Sequence, residues 1–158
     1  MTHFEAMLIQ HDGETARLLQ TQIRDQDDVA FGAFVDQDGN IDTRHCGFLM
    51  SHLIVSWVTP QSLHYHDQAV EAAIRAAFQF LLTQQRRGGC LDLTTCNFAS
   101  APDTAFTMNA MINAWYLAEK DQQAEEIRGL MRRLIESCCE GVMNGGFHTP
   151  NHRWAISA

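Results

Sequence analysis

Asn151, His152 and Arg153, followed by Trp154, place an amide, an imidazole and a guanidinium on consecutive residues. An amide and a guanidinium can hydrogen-bond and neutralise a carboxylate, and an imidazole can take a proton near neutral pH. Together these groups suit removal of a proton from a carbon beside a carboxylate. Asp92 and Asp103, with Asp36 or Asp42 opposite, form a second set. Paired carboxylates serve hydrolysis when they stand about 5–10 Å apart, depending on mechanism. Asp103 also fits a helix N3 position after Ser100, which is a structural role. Asn97 and His148 complete the candidate binding residues, with Asp92, Asp103 and Trp154.

Metal chemistry has weaker support. His64 and His66 would fall on alternate sides of an extended segment, and Asp67 fits a helix cap. His148 and His152 are separated by Pro150, which argues against a regular helix between them. We expect no metal and no cofactor.

The elements that position these residues recur. Gly32, Gly89 and Gly146 are equally spaced, and each precedes an apolar, turn-like stretch. Equal spacing of this kind marks a repeated supersecondary unit. The unit reads as turn, helix, loop, helix. Residues 2–26 are expected to be helical in two pieces broken at His11-Asp12-Gly13, with Asp12 capping the second. Phe34-Val35 and Asn40-Ile41 flank Asp36-Gln37-Asp38-Gly39, which predicts a small hairpin. Helices are predicted over 44–58, stopped by Thr59-Pro60, and over 68–85, capped by Asp67. A third, over 103–118, has Ser100 as its cap and Pro102 in its first turn.

The 44–58 and 103–118 helices are apolar nearly all round and are expected to be buried on most sides. The 122–139 helix has one apolar face, through Ile127, Leu130, Met131, Leu134, Ile135 and Cys138. Inner and outer helical layers follow. A third inner helix would start near Arg153. The 158-residue chain then reads as a single helical-repeat domain. It would be either a fragment of a longer repeat protein or a chain whose short last helix is covered by something else.

In such a layer, the loops before the inner helices gather at one rim. The first supplies Asp36, Asp38, Asp42 and Arg44; the second Asp92, Thr94, Thr95, Asn97 and Asp103; the third His148, Asn151, His152 and Arg153. Helix N-termini pointing there favour anionic ligands.

A net charge of −8 disfavours nucleic acid as a partner. No apolar run approaches the length of a membrane span, about 18 residues. The first residues, Met1-Thr2-His3-Phe4-Glu5, lack a secretory pattern. Five cysteines with no C-x-x-C pair read as reduced thiols, as in a cytoplasmic protein.

Repeated helical hairpins with buried inner helices and Gly-rich connections resemble the (α/α) toroids, which include many glycoside hydrolases and polysaccharide lyases. The segment Thr149-Pro150-Asn151-His152-Arg153-Trp154 resembles the Asn-His element of alginate lyases and heparinase II/III-like lyases. Pro150 stands where that element often has a first Asn. The resemblance implies an all-α, partial toroid acting by β-elimination on an acidic oligo- or polysaccharide. It implies that Asn151 and His152 sit at the toroid mouth beside a uronate carboxylate. Arg153 would assist Asn151, and His152 would be the base. A glycoside hydrolase of toroid type and a non-catalytic helical-repeat binding or assembly domain remain alternatives. An open end of such a layer is apolar, so a homo-oligomer is expected.

Overall fold

The computed structural model describes residues 1–94 and 97–144. Among these, five helices carry most of the chain: α1 (His3–Thr21), α2 (Thr43–Val58), α3 (Gln68–Gln84), α4 (Ala101–Ala118) and α5 (Glu125–Asn144). Strands β1 (Leu91–Leu93) and β2 (Asn97–Ser100) form an antiparallel pair between α3 and α4. The all-α expectation therefore holds at the level of class. Each start has a chemical cause. Thr2 and Glu5 form a capping box on α1. Asp42 accepts the His45 N–H at α2, and Asp67 accepts the Ala69 and Val70 N–H groups at α3. Ser100 caps α4 with Pro102 in the first turn, as its sequence predicts.

The helices lie in two layers. α2 and α4 pack along one another; α3 backs α2, and α5 backs α4. Between the layers lies a core that includes Met50, Leu53, Ile54, Ile74, Phe78, Leu81, Met111, Ile127, Met131 and Leu134. α1 joins one edge through contacts with α2 and α3.

The same contacts occur before α2 and before α4. Gly32 has φ of 88°, and a Cβ there would lie 2.0 Å from the Ala76 carbonyl oxygen on α3. Gly89 has φ of 90°, and a Cβ there would lie 1.8 Å from the Ser137 carbonyl oxygen on α5. Two residues after each glycine, a fully buried apolar residue donates its N–H to the inner helix that follows. Phe34 donates to Cys46 Sγ at 3.3 Å, and Leu91 to Thr104 Oγ1 at 2.8 Å. Cys46 and Thr104 occupy matching positions counted from the starts of α2 and α4.

Three expectations are corrected. α1 runs unbroken, because the Asp12 carboxylate takes Ser62 Oγ–H at 2.6 Å and the Leu63 N–H at 3.0 Å instead of capping its own helix. Asp36–Gly39 is a turn without a strand pair. The Asp36 carboxylate accepts the Asp38 and Asn40 N–H groups, so local bonds replace a ladder, and Phe34 bridges to Gln22. Finally, α4 is not buried all round: Ile112 is 48% and Tyr116 60% exposed. Apolar residue type predicts a tendency to be buried, and the outcome depends on which neighbours are present.

Gly89→Ala is expected to lower stability by about 2–3 kcal/mol, through a backbone clash added to left-handed strain. Gly88→Ala, also at positive φ but with nothing within 4 Å, should cost only about 1 kcal/mol. Urea unfolding of the two variants checks this; equal losses would contradict it.

Candidate functional site

The N-terminal ends of α2 and α4 share one rim. Thr43 Oγ1–H donates to the Asp92 carbonyl at 2.7 Å, and Thr94 Oγ1–H to the Ile41 carbonyl at 3.4 Å. These bonds tie the first loop to the second, as the spacing of the loops predicts. At their junction, Asn97 Nδ2–H donates to Ser100 Oγ at 2.9 Å, and Ser100 Oγ–H donates to Asp103 Oδ2 at 2.5 Å. The other Asp103 oxygen lies 3.7 Å from Arg44 Nη1. The Asp103 side chain is 1% exposed and that of Arg44 is 39% exposed.

Arg44 is the informative member. It sits in the first turn of α2, where a cation opposes the helix dipole. A buried carboxylate from the neighbouring helix offsets that cost and leaves part of the guanidinium facing solvent. The sequence places Arg44 in the first loop but does not single it out; a cation immediately after the cap Asp42 is the signal that finds it.

Asp92 has a different task. Arg86 holds its carboxylate through Nε and Nη2, the latter at 2.6 Å, and the Ala99 N–H donates to it at 2.7 Å. Burial pushes the Asp92 carboxyl up, but these hydrogen bonds and the Arg86 charge outweigh it, so the group lies below its usual range. A general acid in glycoside hydrolysis needs the opposite shift. Asp92 and Asp103 thus act as buttresses of the rim, as does Asn97. Asp36 is spent in its own turn, and Asp42 in its cap. Thr95, His148, Asn151, His152, Arg153 and Trp154 lie outside the described residues.

The described His64 and His66 have partners other than a metal. His64 Nε2 is 3.2 Å from the Asp12 carbonyl, His66 Nε2 is 2.6 Å from Asp121 Oδ2, and Asp67 caps α3. Among the described residues, no three His, Cys, Asp or Glu side chains form a metal-binding group. Cys46 and Cys138 are buried thiols, pushed up by burial to about 11 and about 12, which makes them poor nucleophiles. Nor is any described helix long and apolar enough to cross a membrane.

A second polar cluster, at the α1–α2 seam, carries no motif in the sequence. The His11 and His52 rings stack with centroids 3.6 Å apart. His52 Nε2–H donates to the His11 carbonyl at 3.1 Å, and Thr15 Oγ1 and Ser56 Oγ share a hydrogen bond at 2.5 Å. The residues come from two separate helices, so only the tertiary fold pairs them.

Comparison of the chain with protein-family models, with curated proteins and with solved structures gives no match.

The stacked pair has a pH consequence. Burial lowers both imidazoles from their ordinary value of 6.5, and mutual repulsion adds to the shift at His52. At His11 a hydrogen bond with the His52 backbone, and after it the Asp12 and Glu14 charges, oppose the shift without reversing it. The unfolded chain therefore binds protons more readily than the folded one. The pair's contribution is fully present above the unfolded pKa and is lost as pH falls through that value towards the folded one. Urea midpoints should drop between about pH 7 and pH 5, and His52→Gln should flatten that fall. An unchanged slope in the variant would assign the pH dependence elsewhere.

Proposed function

We propose that the chain is a layer of helical hairpins of the (α/α) toroid type, and that the rim at the N-terminal ends of α2 and α4 receives an acidic oligo- or polysaccharide. The observation that carries this reading is Arg44, held against its own helix dipole by buried Asp103 and partly open to solvent. The paired contacts of Gly32 with α3 and Gly89 with α5 support a repeated unit. So do the matching donations by Phe34 and Leu91.

The reaction we assign is β-elimination. Arg44, with Asn151 and Arg153, neutralises the uronate carboxylate and so acidifies the proton on the adjacent carbon. His152 takes that proton. The electron pair left behind forms a carbon–carbon double bond, and the glycosidic oxygen on the next carbon departs and is protonated. The low Asp92 carboxyl does not suit the general-acid role in two-carboxylate hydrolysis. A non-catalytic binding domain is the second reading, favoured by the apolar face that α4 leaves exposed.

Incubation with polyuronate oligosaccharides tests the proposal through the ultraviolet absorbance of the unsaturated product. We expect His152→Ala to abolish turnover while leaving thermal stability nearly unchanged. Arg44→Gln should weaken oligosaccharide binding about tenfold or more. Reducing ends formed without the absorbance would replace elimination by hydrolysis. Binding without turnover would leave the rim as a receptor only, and binding that ignores Arg44→Gln would overturn the rim assignment.

A further inference from the structure

α1 is held to the rest of the molecule in two different ways along its length. Its C-terminal end is anchored by apolar burial and by bonds to the following loop and α3. Leu18 is fully buried, the Ile23 N–H donates to the Ala33 carbonyl at 2.9 Å, and Gln22 Nε2–H donates to the Ala73 carbonyl at 2.8 Å. Before Leu18, the buried residues of the helix are Asp12 and Thr15, both polar. Their partners are polar too: Thr15 Oγ1 shares a hydrogen bond with Ser56 Oγ, and the Asp12 carboxylate accepts Ser62 Oγ–H and the Leu63 N–H. The stacked His11 and His52 rings belong to this seam. All of these contacts lie among the described residues.

The stack suits two neutral rings. His11 Nε2 is buried and has no hydrogen-bond partner among the described residues. A proton there would add a charge and an N–H with no acceptor to take it, which costs more than the bare nitrogen does. A second proton, on His52, would set two like charges face to face, with ring centroids 3.6 Å apart. Water removes both costs once the rings separate. Burial is the largest effect at both rings and opposes their charging. His64 adds to it at His11, and the facing ring and Arg17 add to it at His52. Against it stand a backbone hydrogen bond at each ring, Asp12 at His11, and Glu14 at both. The balance still disfavours charge, so the docked helix binds fewer protons than a released one.

We infer that the His11–His52 stack is a proton-operated latch: in mild acid it releases the part of α1 before Leu18 from α2, while the stretch from Leu18 to Ile23 and helices α2 to α5 keep their places. The released rings stand in water, where each can carry its charge. Release uncovers the α2 face around His52 and Ser56. The latch does not depend on what the Arg44–Asp103 rim binds.

Amide hydrogen exchange of the full chain, followed residue by residue by NMR and corrected for the intrinsic effect of pH, tests the latch. Between about pH 7.5 and about pH 5.5, protection of the amides from Met7 to Thr15 is expected to fall about tenfold for each proton taken up on release. Amides in the middle of α2 and α4 should keep theirs within about twofold. Each of His11→Gln and His52→Gln should reduce the fall, and the two together should remove it. His64→Gln, which leaves the stack in place, should preserve it. Unchanged protection of α1 across this range would overturn the inference. So would α1, α2 and α4 losing protection together, which is global unfolding, or a fall that persists in the double variant. Should the double variant not fold, the single variants decide: a fall as large as in the unaltered chain in both of them contradicts the latch.

Discussion

Two backbone approaches set the geometry of this protein. At Gly32 and Gly89 the chain passes so close to a helix of the outer layer that a single added carbon would overlap a carbonyl oxygen. Both residues also hold a left-handed conformation, which side chains disfavour. The next buried residue, Phe34 or Leu91, then anchors the start of the following inner helix through its N–H. That sequence of contacts brings the N-termini of α2 and α4 to a common edge. Without it Arg44 and Asp103, which come from different helices, would not meet.

The rim follows from that constraint. A guanidinium in the first turn of α2 is electrostatically misplaced in isolation. Asp103 corrects this from the first turn of α4, where its own charge is favourable and its carboxylate is steadied by Ser100. The buried acid lies beside the partly exposed base at ion-pair distance, 3.7 Å. Part of the Arg44 guanidinium stays open to solvent, on a protein of net charge −8.

Much of the fold is legible in the sequence because it depends on local chemistry. Asp67 and Ser100 announce helix starts, Thr59-Pro60 announces a stop, and glycine before an apolar stretch at Gly32 and Gly89 marks two turns. Features that depend on distant partners are not legible. Asp12 looks like a cap and serves Ser62 and Leu63. Ile112 and Tyr116 look like core and are exposed. At the candidate site, Asp92, Asn97 and Asp103 lie near the predicted edge, but their roles are supportive. Arg44, which faces solvent, takes its meaning from a carboxylate far away in the chain.

The most direct measurement follows the arginine side-chain N–H resonances during titration with a saturated oligouronate. The account predicts a saturable shift of Arg44 Nε–H, accompanied by the amides of Thr43 and His45. Arg86, already held by Asp92, should stay in place. Small, unsaturable shifts spread evenly over Arg86, Arg132 and Arg133, with Arg44 unmoved, would contradict it.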